Sequence, residues 1–258
     1  MDEDKSIVAN FQYSPATVTN APGATNFVTN TNSWGPGSFR QAVRNLVASD
    51  GGSVLFSNVI GTIALPLGLP HLTADARIEG PGPENVTLNF PYGTEAFAFN
   101  VGTTGIISGL TIQSAHSTNR PGGAINNSGN LLLNRVHLLS CGSLTNGGAV
   151  FNSGDLQLHD CVFAQNSAPS GGAIYNQGNF LADSSEFTGN QSFARSQDYA
   201  SGGGAFYNAS GEVEFTRCSF SNNTAAGVSG AFENPSDVNA GSGVGGAVYV
   251  LAGNAGFT

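Results

Sequence analysis

From about residue 53 onward, apolar and polar side chains alternate in short runs of three to five residues. The runs are Ser53-Val54-Leu55-Phe56, Gly61-Thr62-Ile63-Ala64-Leu65, Ala76-Arg77-Ile78-Glu79-Gly80, Val86-Thr87-Leu88-Asn89-Phe90, Ala96-Phe97-Ala98-Phe99 and Ile107 to Ile112. A period of two, punctuated by Gly, Pro and Asn, predicts short strands. One stretch breaks the pattern. Between Ser38 and Ala48 the apolar residues Phe39, Ala42, Val43, Leu46 and Val47 fall at helical spacing, which predicts a helix over 38–48. Ser38 with Gln41 fits a capping box at its start.

The alternation is organised into a repeat. Gly-Gly-Ala-apolar recurs at Gly122–Ile125, Gly147–Val150, Gly171–Ile174, Gly203–Phe206 and Gly245–Val248, at spacings of 25, 24, 32 and 42 residues. A unit of 24–25 residues accounts for all of them if the last two intervals carry insertions, placed near 191–201 and 224–243. Each unit continues with an Asn (Asn127, Asn152, Asn176, Asn208), a Gly turn, a short alternating strand, and a second strand ending in Phe-x-x-Asn: Phe163 to Asn166, Phe187 to Asn190, Phe220 to Asn223. A unit this small cannot bury its apolar face alone, but stacked copies can. The predicted fold is therefore all-β, a right-handed parallel β-helix, the right hand being the default for parallel crossovers. Seven or eight coils make a rod of roughly 35–40 Å. The division expected is residues 1–52 as an N-terminal arm and capping helix, with residues 1–37 adding edge strands or an extended arm, and 53–258 as the solenoid, with regular repeats from about 105. The helix would cover the open apolar end of the first coil.

In such a stack each repeat position becomes a column. The Asn columns are expected to hydrogen-bond from coil to coil, and Phe163, Phe187 and Phe220 to form an inward aromatic stack. Phe151, Tyr175, Tyr207 and Tyr249 form a second aromatic column whose side depends on a register that the sequence leaves open. Cys161 and Cys218 lie two coils apart, about 10 Å, too far for a disulfide, and read as buried small hydrophobes; Cys141 takes the place of a ladder Asn.

Gly-Gly-Ala-Ile alternating with Phe-x-x-Asn over about residues 105–258 resembles the repeats of the chlamydial polymorphic membrane proteins, autotransporter passengers that mediate adhesion. The resemblance maps that family's motifs onto the Gly-Gly-Ala and Phe-x-x-Asn segments named above. Gly35 to Val43, with Gly61-Thr62-Ile63 and Ile78 to Gly82, looks like the opening of large secreted β-helix proteins with a pectin-lyase-like coil.

Composition narrows the function. Only 10% of residues are charged, and 8 basic against 17 acidic residues give a net charge of −9. A nucleic-acid partner is disfavoured, as is an anionic membrane surface, and no apolar run is long enough to insert directly into a bilayer. Met1-Asp2-Glu3-Asp4-Lys5 carries no signal-peptide core and the last unit stops midway; the chain is expected to be a piece of a longer exported protein. The four His show no metal-ligand spacing, and no cofactor or metal is expected. The expected role is a non-enzymatic adhesin or recognition scaffold at the cell surface or secreted, displayed at an outer membrane if a barrel follows. Its expected partner is a host-cell or matrix receptor, protein or glycan. Ser192, Arg195, Asp198 and Tyr199 in the first insertion, and Phe232, Glu233 and Asp237 in the second, are the candidate recognition residues, because loops on a rigid scaffold usually carry specificity. One alternative is a subunit of an extracellular filament or sheath joined end to end. Another is a polysaccharide lyase or glycosidase, for which Asp160 with Asp183, or Glu212 with Glu214, are the nearest carboxylate pairs.

Overall fold

A computed structural model describes residues 23–91, 94–193, 202–226, 246–251 and 255–257. It is a parallel β-solenoid of about six turns with one helix, built from a fourteen-stranded sheet (A), a six-stranded sheet (B) and a five-stranded sheet (C). Asn130–Leu139 pairs in parallel with Thr104–Gln113 on one side and with Asp155–His159 and Val162–Ala164 on the other, residue over residue. Sheets B and C repeat this at Val150–Asn152 under Ile174–Asn176 and at Ser167–Ala168 under Gln191–Phe193.

Each coil crosses sheet A, bends twice, runs briefly through sheet C, turns at Gly-Gly and returns through sheet B. The two bends are columns of left-handed residues. Arg135, Asp160, Ser184 and Arg217 occupy one, with φ of 50–53°, beneath them Gly109; Ser114, Ser140, Gln165, Gly189 and Asn222 occupy the other. Non-glycine residues adopt this region rarely, so two aligned columns of them show that stacking, not local preference, sets the bends.

The Gly-Gly corner has two separate causes. The first glycine (Gly122, Gly147, Gly171, Gly203) has φ of 58–79°. The second has no room for a side chain: a Cβ on Gly172 would lie 2.0 Å from the Gly204 carbonyl oxygen and 2.6 Å from the Gln191 backbone. The following Ala124, Ala149, Ala173 and Ala205 point into the core and are fully buried.

Both Asn columns are continuous ladders. Asn127 Nδ2 donates to Asn152 Oδ1 (2.8 Å), Asn152 to Asn176 (2.7 Å) and Asn176 to Asn208 (2.7 Å). Each amide also donates to the carbonyl of the turn that follows it. On the opposite side Asn166 donates to Asn190 and Asn190 to Asn223, both at 2.9 Å. The Asn166 oxygen accepts from the Cys141 backbone N–H at 2.9 Å, so the cysteine ends the amide row without breaking it. Inside, Phe163 stacks on Phe187 (5.0 Å, 9°) and Phe187 on Phe220 (4.8 Å, 7°).

The helix Phe39–Ala48 forms as expected, with Ser38 Oγ accepting from the Gln41 backbone N–H. The capping box is only half made, because the Gln41 side chain donates to Asn45 Oδ1 instead of reaching back. Phe39 closes the end of the core against Phe56 (5.6 Å) and Phe97 (6.3 Å). Buried Arg40 lies 4.4 Å over the Trp34 ring and donates to the Gly68 and Leu67 carbonyls. The solenoid starts earlier than residue 53: Ala24–Val28 pairs in parallel with Gly52–Phe56, and the helix lies in the connection between these two rungs.

The insertions are shorter than expected, since Gln191–Phe193 and Thr224–Ala226 are regular rungs of sheet C. The three cysteines are free, and burial pushes the Cys141 and Cys161 thiols up to about 12. With a thiol reagent at pH 8 the native chain should react at half-buried Cys218 first, and at Cys141 and Cys161 only at the rate of unfolding. Mass-spectrometric mapping of the labelled cysteines checks this.

Candidate recognition surface and charged clusters

Sheet B fixes the side of the second aromatic column. Its strands are three residues long, and in Ile125–Asn127, Val150–Asn152, Ile174–Asn176 and Phe206–Asn208 the first and third residues are buried. The middle residues therefore face outward in a single row. Phe151 stacks on Tyr175 (5.7 Å, 9°), Tyr175 on Tyr207 (5.0 Å, 6°), and Tyr207 lies 5.0 Å from Tyr249 at 40°. The rings stand like plates, faces covered by one another and edges to solvent. Burial raises the Tyr175 and Tyr207 phenol pKa values. Tyr207 leans over the backbone of Gly202, where a Cβ would meet its ring at 2.7 Å. A row of Asn146, Ser170 and Gly202, linked by isolated bridges, borders the column on one side. In sequence, residues 194–201 and 227–245 immediately precede Gly202 and Gly246, which stand at this corner.

Of the sequence-derived recognition residues, Ser192 is corrected: it is fully buried in Gln191–Phe193, between Ala168 and Ala225, and cannot meet a partner. Arg195, Asp198, Tyr199, Phe232, Glu233 and Asp237 lie outside the described residues.

The carboxylates singled out by the sequence do meet. Asp183 Oδ2 is 3.1 Å from His159 Nδ1, and Asp160 Oδ2 is 3.3 Å from His159 Nε2. Arg217 Nη2 is 2.5 Å from Asp183 Oδ1, and its Nε donates to Ser184 Oγ at 3.2 Å. The imidazole fills the space between the two carboxylates where a glycosidase would hold its scissile bond. Glu212 and Glu214 remain on the outer surface. Among the described residues no three His, Cys, Asp or Glu side chains gather as metal ligands.

Sequence reasoning missed one cluster. His71, Glu95 and Arg120 come from three irregular connections and line one cleft with Gly68, Leu69 and Asn119. Arg120 Nη1 donates to His71 Nε2 at 3.1 Å and lies 3.8 Å from Glu95 Oε2. Glu95 Oε1 is buried with no hydrogen-bond partner among the described residues. Burial raises its pKa to about 7, against a smaller opposing pull from Arg120. The folded state therefore holds this proton more tightly than the unfolded chain does. The carboxyl costs nothing below pH 4.5 and is destabilising above pH 7, by roughly 2 kcal/mol after solvent screening at the cleft mouth. Glu95→Gln should raise urea-unfolding stability by about that amount at pH 8.5 and leave it unchanged at pH 4. No sequence spacing signals a cluster of residues this far apart in the chain.

No helix among the described residues is long and apolar enough to cross a membrane. Nothing matches the chain among curated proteins or solved structures. Residues 160–177, which run from one ladder Phe-x-x-Asn (Phe163 to Asn166) through the next Gly-Gly-Ala-Ile and Asn176, match the Chlamydia polymorphic membrane protein (Chlamydia_PMP) repeat, which points to a surface-exposed protein with a β-helix fold.

Proposed function

We propose that this chain is a non-catalytic recognition segment, an adhesin-like right-handed β-helix displayed outside the cell as an autotransporter passenger. The observation that carries this reading is the contrast between its two parts. The interior of the repeat region is a set of uninterrupted ladders, while the two longest departures from the 24-residue unit, between Phe193 and Gly202 and between Ala226 and Gly246, fall at one corner in sequence, beside the outward tyrosine row. Such a division suits a rigid scaffold that presents variable connections. The repeat match at residues 160–177 supports a surface location, and the contacts of His159 and Arg217 that occupy Asp160 and Asp183 support a role without turnover.

The test is binding of the purified chain to cultured epithelial cells, measured by flow cytometry. It is compared with a variant in which 194–201 and 227–245 are each replaced by a short Gly-Ser linker, with circular dichroism as the check on fold. The parent should bind saturably and the variant should lose about tenfold or more in affinity with its fold intact. Full binding by the variant would refute the placement at the corner, and a parent that binds no cell would refute the adhesin reading itself.

A further inference from the structure

The cleft of His71, Glu95 and Arg120 sits on the same side of the solenoid as the tyrosine row, its lining residue Ala98 two rungs below Phe151 in one column, and nothing in the proposed adhesin role uses it. Its chemistry is specific. A buried carboxyl oxygen normally finds a donor, yet Glu95 Oε1 has none among the described residues. The Glu95 side chain is only 14% exposed, while that of Arg120 is 52% exposed. Arg120 commits Nη1 to His71 and Glu95, and its Nε and Nη2 make no hydrogen bond among the described residues. The acceptor and the free donors thus stand side by side at one opening. The missing partner must donate to the carboxyl and accept from the guanidinium at neighbouring positions. Adjacent hydroxyls do both, because each is donor and acceptor at once. The cleft holds about 240 Å³ and has Leu69 and Ala98 as apolar wall, which is below the ordinary range for drug-sized ligands and suits one ring with a C–H face.

We propose that this cleft binds a single neutral sugar ring, with one hydroxyl donating to Glu95 Oε1, its neighbour accepting from Arg120, and the ring's C–H face against Leu69. His71 accepts from Arg120 Nη1 and holds the guanidinium in place, which makes it a positioning residue. The ring is the terminal unit of a glycan or a free monosaccharide; the shared requirement is the vicinal diol.

Ligand-observed saturation-transfer NMR on the whole chain tests this with the methyl glycosides of glucose, galactose, mannose and N-acetylglucosamine, each titrated into the millimolar range expected for so small a ligand. At least one should bind saturably. Arg120→Ala, a change at a half-exposed side chain that leaves the fold alone, should weaken it by about tenfold or more, the usual loss for a charge-assisted hydrogen bond. Glu95→Ala should do the same, whereas Glu95→Gln, which keeps an acceptor oxygen, should weaken it less. A matching oligosaccharide that binds with the same affinity as its methyl glycoside indicates a site for one unit, as proposed. Absence of binding by all four glycosides, binding unmoved by Arg120→Ala and Glu95→Ala, or capture of acetate and glucuronate in place of the neutral sugars would each overturn the proposal. None of these outcomes bears on cell binding through the corner at 194–201 and 227–245, which is measured separately.

Discussion

Gly172→Ala should destabilise the chain by about 3 kcal/mol or more, seen as a large drop in urea midpoint, although it adds one methyl group. The added Cβ would lie 2.0 Å from the Gly204 oxygen and 2.6 Å from Gln191 C and O. All of these are backbone atoms of neighbouring rungs, so no side chain can swing aside. Relief requires prising apart the coils joined by the Gly172 N–H to Gly203 carbonyl bond (3.1 Å) and the Ala173 N–H to Ala205 carbonyl bond (2.9 Å). Gly246 supplies the control. It occupies the same repeat position two coils higher, but a Cβ there would find its nearest atom, the Asn223 oxygen, at 3.8 Å. Gly246→Ala should change stability by less than about 0.5 kcal/mol. A similar loss at both sites would mean that the glycine acts through the unfolded chain and not through coil contact.

Asn176→Ala should cost about 3–5 kcal/mol, measured by the same unfolding experiment. The side chain is fully buried. Its Nδ2 donates to the Gly178 carbonyl (2.7 Å), to Asn208 Oδ1 (2.7 Å) and to the Ser210 carbonyl (3.2 Å), while its Oδ1 accepts from Asn152 Nδ2 (2.7 Å). Truncation removes these bonds and leaves partners on both neighbouring coils short of a contact, each in a buried setting where an unmet polar group costs about 1–3 kcal/mol. The row is also a chain of mutually polarising amides, so its loss is felt beyond the adjacent rungs. Asn179 is the contrast: its Nδ2 donates to Asp155 Oδ1 at 2.9 Å on the exposed surface, and Asn179→Ala should stay within about 0.5 kcal/mol. Equal effects at 176 and 179 would show that the ladder contributes no more than a surface contact.

The columns were legible in the sequence because a solenoid converts repetition along the chain into contact in space. Asn152 and Asn176, or Phe163 and Phe187, stand at matching places in consecutive units, and the parallel register puts one over the other. The helix was legible from its spacing alone. Three things were not. The left-handed bends at Arg135, Asp160, Ser184 and Arg217 carry no residue signature, because the stack imposes a conformation that side chains of such different kinds do not choose. Edge strands or an arm within residues 1–37 were legible, but the position and register of Ala24–Val28 were not, because it carries no repeat motif and is recruited by the edge of Gly52–Phe56. The outward aim of the tyrosine row needed a register known to one residue, which the burial of Val150 and Asn152 supplies. The cleft at Glu95 lies lowest of all in legibility, since its members come from connections without period or motif.

The gap between Gly-Gly pairs grows from 24 residues to 32 and then 42, yet the paired rungs on either side stay in strict register: Tyr175 lies over Tyr207, and Tyr207 over Tyr249. Nearly all the extra length falls at one seam, and the only other change in these coils is one added residue in the turn between Asn208 and Val213. Such a chain can gain or lose surface segments there by insertion and deletion without renegotiating its interior, so that sequence drift on one edge and constancy everywhere else are two results of the same geometry.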